Sequence, residues 1–475
     1  MRQRSRPAGP ARRRGLYGGR QGTMDALRTV EQDRTKRYPQ DATAQTHVVE
    51  EYAPADWRQA IRLPHERIHG DVTIRIARGF EEMEAIRLLW QQMQSREPSS
   101  TPNADYDRYI SVIKADNGRT QPLVMLFHRS NRPVAMMIGR TEEHQLNLRL
   151  GYQALFRPKL RCLNIAYGGI LGRPEGDLCS LLVGKLMEHL SSRQADMIYF
   201  NHIRTDTDFY RAVRKAPGLL TRDCFPTIDE HWRMAVPQTM EQFYSARSRG
   251  HRHNLRKAIR QFDADFPRAG NLVDGAGRPV RNYTSQEDAD EFLRLAAGIS
   301  PKTYQNALGA GLVNDRKTRD QIAAAARHGW FRGHVLFAGD TPCAFQLGLQ
   351  YRNVYYMVNI GYDPAFSSYK PGLILFLRVL EGLCADPSVD TIDFYFGDAE
   401  YKSRYGTEHW PEACVCMFAP RVYPMFINAL RSSMTGLNAG LRYIVNKTGS
   451  VARLKRKWRS RLTTVGAESA EADPT

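Results

Sequence analysis

A run of acidic, basic and phenolic side chains follows a short apolar strand in the last quarter of the chain. The strand is predicted over residues 391–396, and the polar run extends to Gly406. Carboxylates, an ammonium group and a phenol placed side by side can accept and donate protons, which is the chemistry of general acids and bases. The candidate residues are Asp393, Asp398, Glu400, Tyr401 and Lys402. The alternative is a cluster of ion pairs and hydrogen bonds that only closes a loop.

The segment before this strand has the pattern of a turn that binds anions. Residues 354–360 alternate as a strand does, and apolar residues recur at helical spacing from Leu373 to Cys384. Pro371 suits the first turn of that helix, where a missing N–H costs nothing. The free N–H groups and positive dipole end of a helix start attract anions, and Lys370 adds a full charge. The candidate anion-binding residues are Ser367, Ser368, Tyr369, Lys370 and Gly372.

A predicted helix over residues 240–266 has one cationic side. The residues of that side recur at offsets of three and four and therefore share one face. They are Arg249, Arg252, His253, Arg256, Lys257 and Arg260. Like charges at this spacing repel one another by about a few tenths of a kcal/mol per pair. We therefore expect an anionic ligand or partner beside this face, the alternative being a helix that is simply solvated.

Composition narrows the class of protein. The chain has 475 residues and a net charge of +18, so it has room for two or three domains and attracts anionic partners. Its seven cysteines include no C-x-x-C pair, so neither a disulfide framework nor a metal site is predicted, and a reducing cytoplasm fits. No apolar run is long enough to span a membrane, and the N-terminus lacks the apolar core of a signal peptide. Met24 could be the true start.

The order of the predicted elements repeats along the chain. In each half a hairpin is followed by a strand, a helix and a strand, and residues 196–200 resemble residues 390–394. We therefore predict two copies of one α/β unit, with the active site in the second copy or in the cleft between the copies. The predicted regions are a disordered basic region (1–70), a degenerate first copy (71–239), a second copy (240–420) and a basic C-terminal tail (421–475). The tail could contact a membrane surface or be a frayed soluble end.

The motifs of the second copy resemble the GNAT acyltransferase superfamily. The resemblance is to its CelD-like subgroup of cellulose-biosynthesis acetyltransferases, which is related to the Fem-type aminoacyltransferases. The matching segments are Tyr362-Asp363-Pro364, Tyr369-Lys370-Pro371-Gly372, Ile392-Asp393-Phe394 and Gly397-Asp398-Ala-Glu400-Tyr401-Lys402. The resemblance implies an α/β (α+β) fold of tandem GNAT-like domains, with mixed central sheets flanked by helices. The Q/R-x-x-G-x-G/A phosphate loop of simple GNAT enzymes is replaced by Ser-Ser-Tyr-Lys-Pro-Gly, which leaves the CoA assignment open.

The resemblance also implies a function and roles for the residues. The expected reaction transfers an acyl group, in the first instance acetyl, from acyl-CoA to an amine of an envelope-related, exopolysaccharide-related or small-molecule acceptor. Asp398 or Glu400 would act as base, with Asp393 either a further candidate or an anchor of the loop. Tyr401 or Tyr405 would act as acid, and Lys402 would stabilise negative charge or pair with Asp398. The expected acceptor contacts are Arg249, Arg252, Arg256, Lys302 and Tyr304.

Two other interpretations stay open at this point. One is Fem-type transfer from aminoacyl-tRNA, which is the only interpretation that involves tRNA; no DNA partner is expected. The other is a catalytically inactive GNAT module that serves exopolysaccharide synthesis as a scaffold or as a nucleic-acid binder. In every case the protein is expected in the cytoplasm, with peripheral contact to the inner membrane through the basic tail as an option.

Overall fold

A computed structural model describes residues 67–69, 72–97, 101–116, 118–150, 153–266, 279–303, 311–397 and 399–447. Its strands are β1 (Arg67–His69), β2 (Val72–Ala77), β3 (Gln121–Arg129), β4 (Arg132–Gln145), β5 (Leu148–Leu150), β6 (Gln153–Phe156), β7 (Lys159–Leu171), β8 (Met197–Arg204), β9 (Thr227–Ala235), β10 (Val280–Tyr283), β11 (Phe331–Ala338), β12 (Thr341–Tyr351), β13 (Val354–Tyr362), β14 (Thr391–Phe396) and β15 (Glu408–Phe418).

Helices cover this framework. They are α1 (Phe80–Ala85), α2 (Arg87–Ser95), α3 (Tyr106–Ala115), α4 (Asp177–Ser191), α5 (Asp208–Lys215), α6 (Met240–Ser245), α7 (Arg249–Asp265), α8 (Gln286–Ile299), α9 (Arg316–Arg327), α10 (Pro371–Cys384), α11 (Glu400–Tyr405) and α12 (Val422–Lys447). Short 3₁₀ turns span Pro102–Ala104, Ser300–Lys302 and Pro364–Tyr369. No described helix is both long and apolar enough to cross a bilayer.

One mixed sheet of thirteen strands runs through both halves of the chain. Its order is β1-β2-β3-β4-β7-β8-β15-β9-β14-β13-β12-β11-β10, and only the short β5–β6 pair stands apart. Helices flank this sheet, so the predicted fold class of a mixed α/β protein is confirmed. Both predicted hairpins are present, as β3–β4 and β11–β12, and so is the predicted helix, as α10. The two halves share one continuous sheet, whereas separate sheets were expected.

The two halves exchange their last strands at the centre of the sheet. β15, from the end of the second half, pairs with β8 of the first, and β9, from the end of the first half, pairs with β14 of the second. β15 and β9 also pair with each other, antiparallel, so the order of strands is nearly symmetric about this central pair. Each half therefore depends on the other for the strand that completes its part of the sheet.

In each half a parallel pair of strands separates after a few residues. β7 pairs with β8 only over 162–165 and 197–200, and β13 pairs with β14 only over 354–356 and 391–393. A parallel pair needs a crossover, which α4 and α10 provide. Beyond these short ladders the two strands of each pair are no longer paired with each other, so each parallel ladder ends well before its strands do.

Parts of both predicted terminal regions form regular secondary structure. Residues 67–69, within the region predicted to be disordered, form β1 and pair with β2. Residues 422–447 of the predicted tail form α12, which packs Ile427 and Met434 against Cys416 and Phe418. The basic residues 451–462 and Met24 lie outside the described residues. The boundaries of the predicted regions stay predictions.

Candidate active site

The predicted anion-binding turn is accessible at the start of α10. Ser367, Ser368, Lys370 and Gly372 are exposed. Tyr369 is half-buried and packs its ring against Phe262 of α7 and Phe266, which directly follows α7. Lys370 has the left-handed backbone conformation, with φ 56° and ψ 52°, and is followed by Pro371 in the first turn of the helix. Gly372, at the second helical position, has no acceptor four residues back within its helix. No described acid pairs with Lys370, so the turn can receive an anion.

The predicted catalytic residues divide between a buried strand and a short helix. Asp393 is fully buried in β14. Glu400 is exposed at the start of α11 and pairs with Arg404, and Tyr401 packs against Phe394. The ammonium group of Lys402 donates to the main-chain oxygen of Phe396, a contact that holds α11 against the end of β14. Asp398 lies outside the described residues.

The predicted acceptor arginines line a cavity of about 720 Å³ between α7 and α10. Arg249, Arg252 and Arg256 are joined there by Arg260 and Arg378, opposed by Glu381. None of the described candidate catalytic residues lines it, because α10 lies between this cavity and the strands. Lys302 is elsewhere, with its ammonium group 2.7 Å from a carboxylate oxygen of Asp363, and Tyr304 lies outside the described residues.

A network of buried charged groups crosses the centre of the sheet. His231 of β9 is wholly enclosed, with its Nε2 2.9 Å from a carboxylate oxygen of Asp393 and its Nδ1 3.6 Å from Oε2 of Glu412. Arg233 Nε donates to Asp393 over 2.8 Å. The ring of His231 stacks between Trp410, at 4.6 Å, and Tyr167, at 5.9 Å. These residues come from β7, β9, β14 and β15, so both halves of the chain build the network.

Burial and pairing shift the pKa values of this network in opposite directions. Burial alone would lower the pKa of His231, but its hydrogen bond with Asp393 and the nearby carboxylate of Glu412 outweigh burial and raise that pKa. Burial alone would raise the pKa of Asp393, but the hydrogen bond from His231 and the charges of His231 and Arg233 outweigh burial and lower it. With His231 protonated, two cations balance the carboxylates of Asp393 and Glu412. Burial raises the pKa of Tyr167 well above its usual range, so this phenol stays protonated.

Part of the chain resembles a known protein family. Residues 249–403 match a family model described as an acetyltransferase (GNAT) domain. The chain therefore contains a GNAT acetyltransferase domain, which indicates N-acyltransferase activity in general terms. The match includes α7, the anion-binding turn, α10, β14 and the first residues of α11. No curated protein matches the sequence.

Solved structures that resemble this chain do so at low identity. FemX is 9% identical with a TM-score of 0.45, and the match covers 69% of this chain and 95% of FemX. A tandem GNAT protein from the clavulanic acid biosynthesis pathway is 10% identical with a TM-score of 0.45, covering 74% and 99%. L-PGS from Bacillus licheniformis is 12% identical with a TM-score of 0.40, covering 74% and 96%. At these values none of them indicates a substrate, and the CelD-like subgroup stays a prediction.

A second cavity, of about 550 Å³, lies in the first half, outside the matched GNAT domain. It lies where β7 and β8 are no longer paired, and its lining includes Tyr167, His202, Arg233, Trp410 and Glu412. Sequence analysis missed all five of these residues. A signal was present, because Glu-His-Trp occurs at 230–232 and again at 408–410, on the two exchanged strands. In the structure His231 pairs with Trp410 and His409 with Trp232 across these strands.

These arrangements can support chemistry that neither half of the chain could carry alone. The GNAT domain contributes an exposed turn for an anionic group and the buried carboxylate of Asp393. The first half contributes a cavity, and the two exchanged strands place a histidine and a second carboxylate between them. A buried pair of carboxylates joined by a histidine can hold or move a proton without changing the net charge of the network.

Proposed function

We propose that this protein transfers an acyl group from acyl-CoA to an amine. The observation that carries the proposal is the exposed turn at the start of α10, inside the segment that matches a GNAT domain. CoA is rich in phosphate, and the start of α10, where the N–H of Gly372 lies beside the charge of Lys370, is suited to bind a phosphate group. The ladder between β13 and β14 ends towards the same end of the strands, at Asp393. A pantetheine chain entering there would bring its thioester towards Asp393.

The reaction makes three demands on the site. A base must take a proton from the ammonium group, donors must stabilise the developing oxyanion, and an acid must protonate the leaving thiolate. The sequence-based proposal assigns these tasks to Asp398, Glu400, Tyr401 and Lys402, with Asp393 as a further candidate base. The contacts of Asp393 with His231 and Arg233 favour a positioning role for this residue.

Calorimetric titration with acetyl-CoA tests the donor site. Lys370→Ala is expected to raise Kd about fivefold, because an exposed charge contributes about 1 kcal/mol. Gly372→Asp is expected to raise it further, because a carboxylate would then occupy the anion position at the helix start. That substitution is sterically tolerated, since an added Cβ meets only Cδ1 of Tyr362, at 3.5 Å. Lys159→Ala, which removes an exposed lysine from the first half, is the control and should leave Kd unchanged.

Two results would contradict the donor assignment. One is failure of the wild-type protein to bind acetyl-CoA at millimolar concentration. The other is the same Kd for the wild type and all three variants, which would show that acetyl-CoA does not bind at this turn. Fem-type transfer is the alternative reaction, and there ribonuclease would abolish activity whereas CoA would not compete. An inactive scaffold would bind its partners and complement a deletion even with Asp398→Asn and Tyr401→Phe combined.

The arginine-lined cavity is proposed as a second contact for phosphate. It fits either an anionic acceptor, such as a phosphorylated or nucleotide-linked amino sugar, or the nucleotide end of the donor. Arg252→Gln distinguishes them: weaker acetyl-CoA binding indicates the donor, whereas a slower reaction with anionic acceptors alone indicates the acceptor. Lys257→Gln is the control, because Lys257 is exposed on the same helix but does not line the cavity. An unchanged Arg252→Gln protein would remove this cavity from the proposal.

The cellular location and the class of acceptor are also part of the proposal. We propose a cytoplasmic protein with an acceptor related to the cell envelope or exopolysaccharides, and a basic C-terminal tail that contacts the inner membrane. Sedimentation with vesicles of anionic lipid, comparing the full chain with one ending at residue 447, tests the contact. Equal binding by both proteins would remove the tail from it.

A further inference from the structure

The cavity of the first half differs in charge from the arginine-lined cavity. Five carboxylates and four arginines line it. Each arginine already pairs with a carboxylate: Arg173 with Glu97, Arg204 with Asp206, Arg211 with Asp208, and Arg233 with Asp393. Among the described lining residues this leaves Glu175 and Glu412 without an arginine. The cavity therefore favours a cationic group over an anionic one.

The helix start beside this cavity is closed to anions by the chain's own carboxylates. Glu97 accepts from the N–H of Gly172 over 2.9 Å, and Asp208 accepts from the N–H of Gly176 over 2.9 Å. In the second half the corresponding turn, Ser367–Gly372, is exposed and has a lysine in place of these acids. A phosphate-rich donor is thus directed to the second half, and the first-half cavity is left for the other substrate.

The two parallel ladders of the sheet end beside the buried network. The ladder between β13 and β14 ends at Asp393, and the ladder between β7 and β8 ends just before Tyr167 and His202. The ring of Phe396, at the end of β14, stacks on His202 at 3.4 Å and lies edge-on to Tyr167 at 5.0 Å. The end of β14 is therefore in direct contact with two residues that line the first-half cavity.

Glu412 is a buried carboxylate of this cavity, and one of its two oxygens has no hydrogen-bond donor among the described residues. It is 3% exposed, and Oε1 accepts from Nε1 of Trp410 over 2.6 Å. No described donor makes a hydrogen bond to Oε2, and the nearest, His231 Nδ1, is 3.6 Å away. A buried carboxylate oxygen without a donor is destabilising, because it has lost its hydration without gaining a hydrogen bond. An ammonium group bound in the cavity would supply the missing donor.

Backbone strain coincides with the same place. His202 has a positive φ of 56°, which is rare for a residue other than glycine. It lines the cavity, 3.6 Å from Asp229 and next to Cys414. Burial lowers the pKa of His202, so its imidazole is neutral and can act as a nucleophile towards a reactive probe.

We infer that the first-half cavity binds the acceptor amine and that Glu412 removes its proton. This inference rests on the proposed function, because it requires an acyl donor in the second half. Other charged or titratable groups face Glu412 from β7, β8, β9 and β14: Tyr167, His202, Arg204, Asp229, His231, Arg233 and Asp393.

The step balances as follows in protons and electron pairs. The ammonium group gives one proton to Glu412, and the nitrogen lone pair forms a C–N bond with the thioester carbonyl carbon. As the carbonyl re-forms, the C–S bond breaks and sulfur leaves with the bonding pair as a thiolate. The second proton passes from nitrogen to the thiolate. The products are an amide, CoA with a free thiol, and protonated Glu412, which returns its proton to solvent.

Affinity labelling with bromoacetyl-CoA tests where the acyl group arrives. A nucleophile beside the bound acyl group displaces bromide, and mass spectrometry identifies the modified residue. We expect labelling of His202 or Cys414 that excess acetyl-CoA prevents. If the labelling that acetyl-CoA prevents falls on another residue, this inference is overturned and the proposed function stands. If no residue shows labelling that acetyl-CoA prevents, the donor site is wrong, and both the proposed function and this inference fail.

Glu412→Gln tests the role of the carboxylate. CoA release from acetyl-CoA is followed with a panel of ethylamine, glucosamine and lysine as the acceptors. We expect the variant to bind acetyl-CoA with unchanged Kd and to lose about 100-fold or more of the amine-dependent rate. Glu230→Gln, on the neighbouring strand, is the matched control and should keep both. Retention of the rate by Glu412→Gln, or no amine-dependent release by the wild-type protein, overturns the assignment of Glu412 as base.

Discussion

Asp393→Asn should destabilise the protein far more than a change of one charge on its surface. The Asp393 carboxylate lies 2.9 Å from His231 Nε2 and 2.8 Å from Arg233 Nε, and it accepts from the N–H of Tyr395 over 2.8 Å. An asparagine can accept with one oxygen only and would direct N–H groups at existing donors. It also leaves a buried guanidinium group without its carboxylate. Removing one partner of a buried ion pair costs about 3–5 kcal/mol, which is the loss we expect.

The dependence of this loss on pH follows from the signs of the two shifts. The pKa of Asp393 is lowered in the folded state, so its stabilisation is present above the unfolded value of about 3.9 and lost as the pH falls through the folded pKa. The pKa of His231 is raised, so its stabilisation is present below about 6.5 and lost as the pH rises through the folded pKa. The Asp393→Asn variant should therefore lose the most free energy of unfolding between about pH 4 and 6.5, and its free energy of unfolding should depend less on pH than that of the wild-type protein.

Urea unfolding at several pH values, followed by circular dichroism, measures these free energies. Asp390→Asn is the matched control, since Asp390 is exposed three residues earlier and mainly accepts from Asn353. It should change the free energy of unfolding by less than about 0.5 kcal/mol. A loss below about 1 kcal/mol for Asp393→Asn near pH 6, or a loss equal to that of the control, would refute the electrostatic account of the network.

Three further substitutions test the backbone at Lys370, the packing of Phe262 and the role of Tyr405. Lys370→Gly should raise the free energy of unfolding by up to about 1 kcal/mol by relieving a left-handed backbone, yet weaken acetyl-CoA binding; a thermal melt and calorimetry measure the two effects. Phe262→Ala should cost about 3–5 kcal/mol in chemical unfolding, because this buried ring supports Tyr369. Tyr405→Phe should retain acyl transfer, because Tyr405 is a core residue packed 5.1 Å from Phe376; a lost rate would make it a catalytic acid.

Local signals predicted much of the second half correctly. The alternation before Asp363, the proline at the start of α10 and the apolar spacing along it each act over a few residues, and the structure contains the strand, turn and helix that they predict. The same holds for the β11–β12 hairpin, whose turn follows Ala338. Such features are readable because neighbouring residues alone determine them.

The central network was not predictable from the same signals. His231 and Asp393 are 162 residues apart in the sequence, and they meet only because the halves exchange their last strands. Asp393 was singled out as a candidate base from its place in a motif, which says nothing about a histidine on another strand. The repeated Glu-His-Trp sequence could have indicated that β9 and β15 are equivalent, but it does not reveal that they lie side by side.

The exchange of strands also explains why a match to one GNAT domain describes only part of this site. Residues 249–403 contain Asp393 and the turn proposed to bind the donor, but they end before Glu412 and begin after His231 and Tyr167. In the structure, the groups that surround Asp393 come from β7, β9 and β15. If the acyl group arrives at Asp393, then residues outside the matched domain decide which amine meets it. Substitutions in the first-half cavity should therefore change the choice of acceptor while leaving the affinity for the donor unaltered.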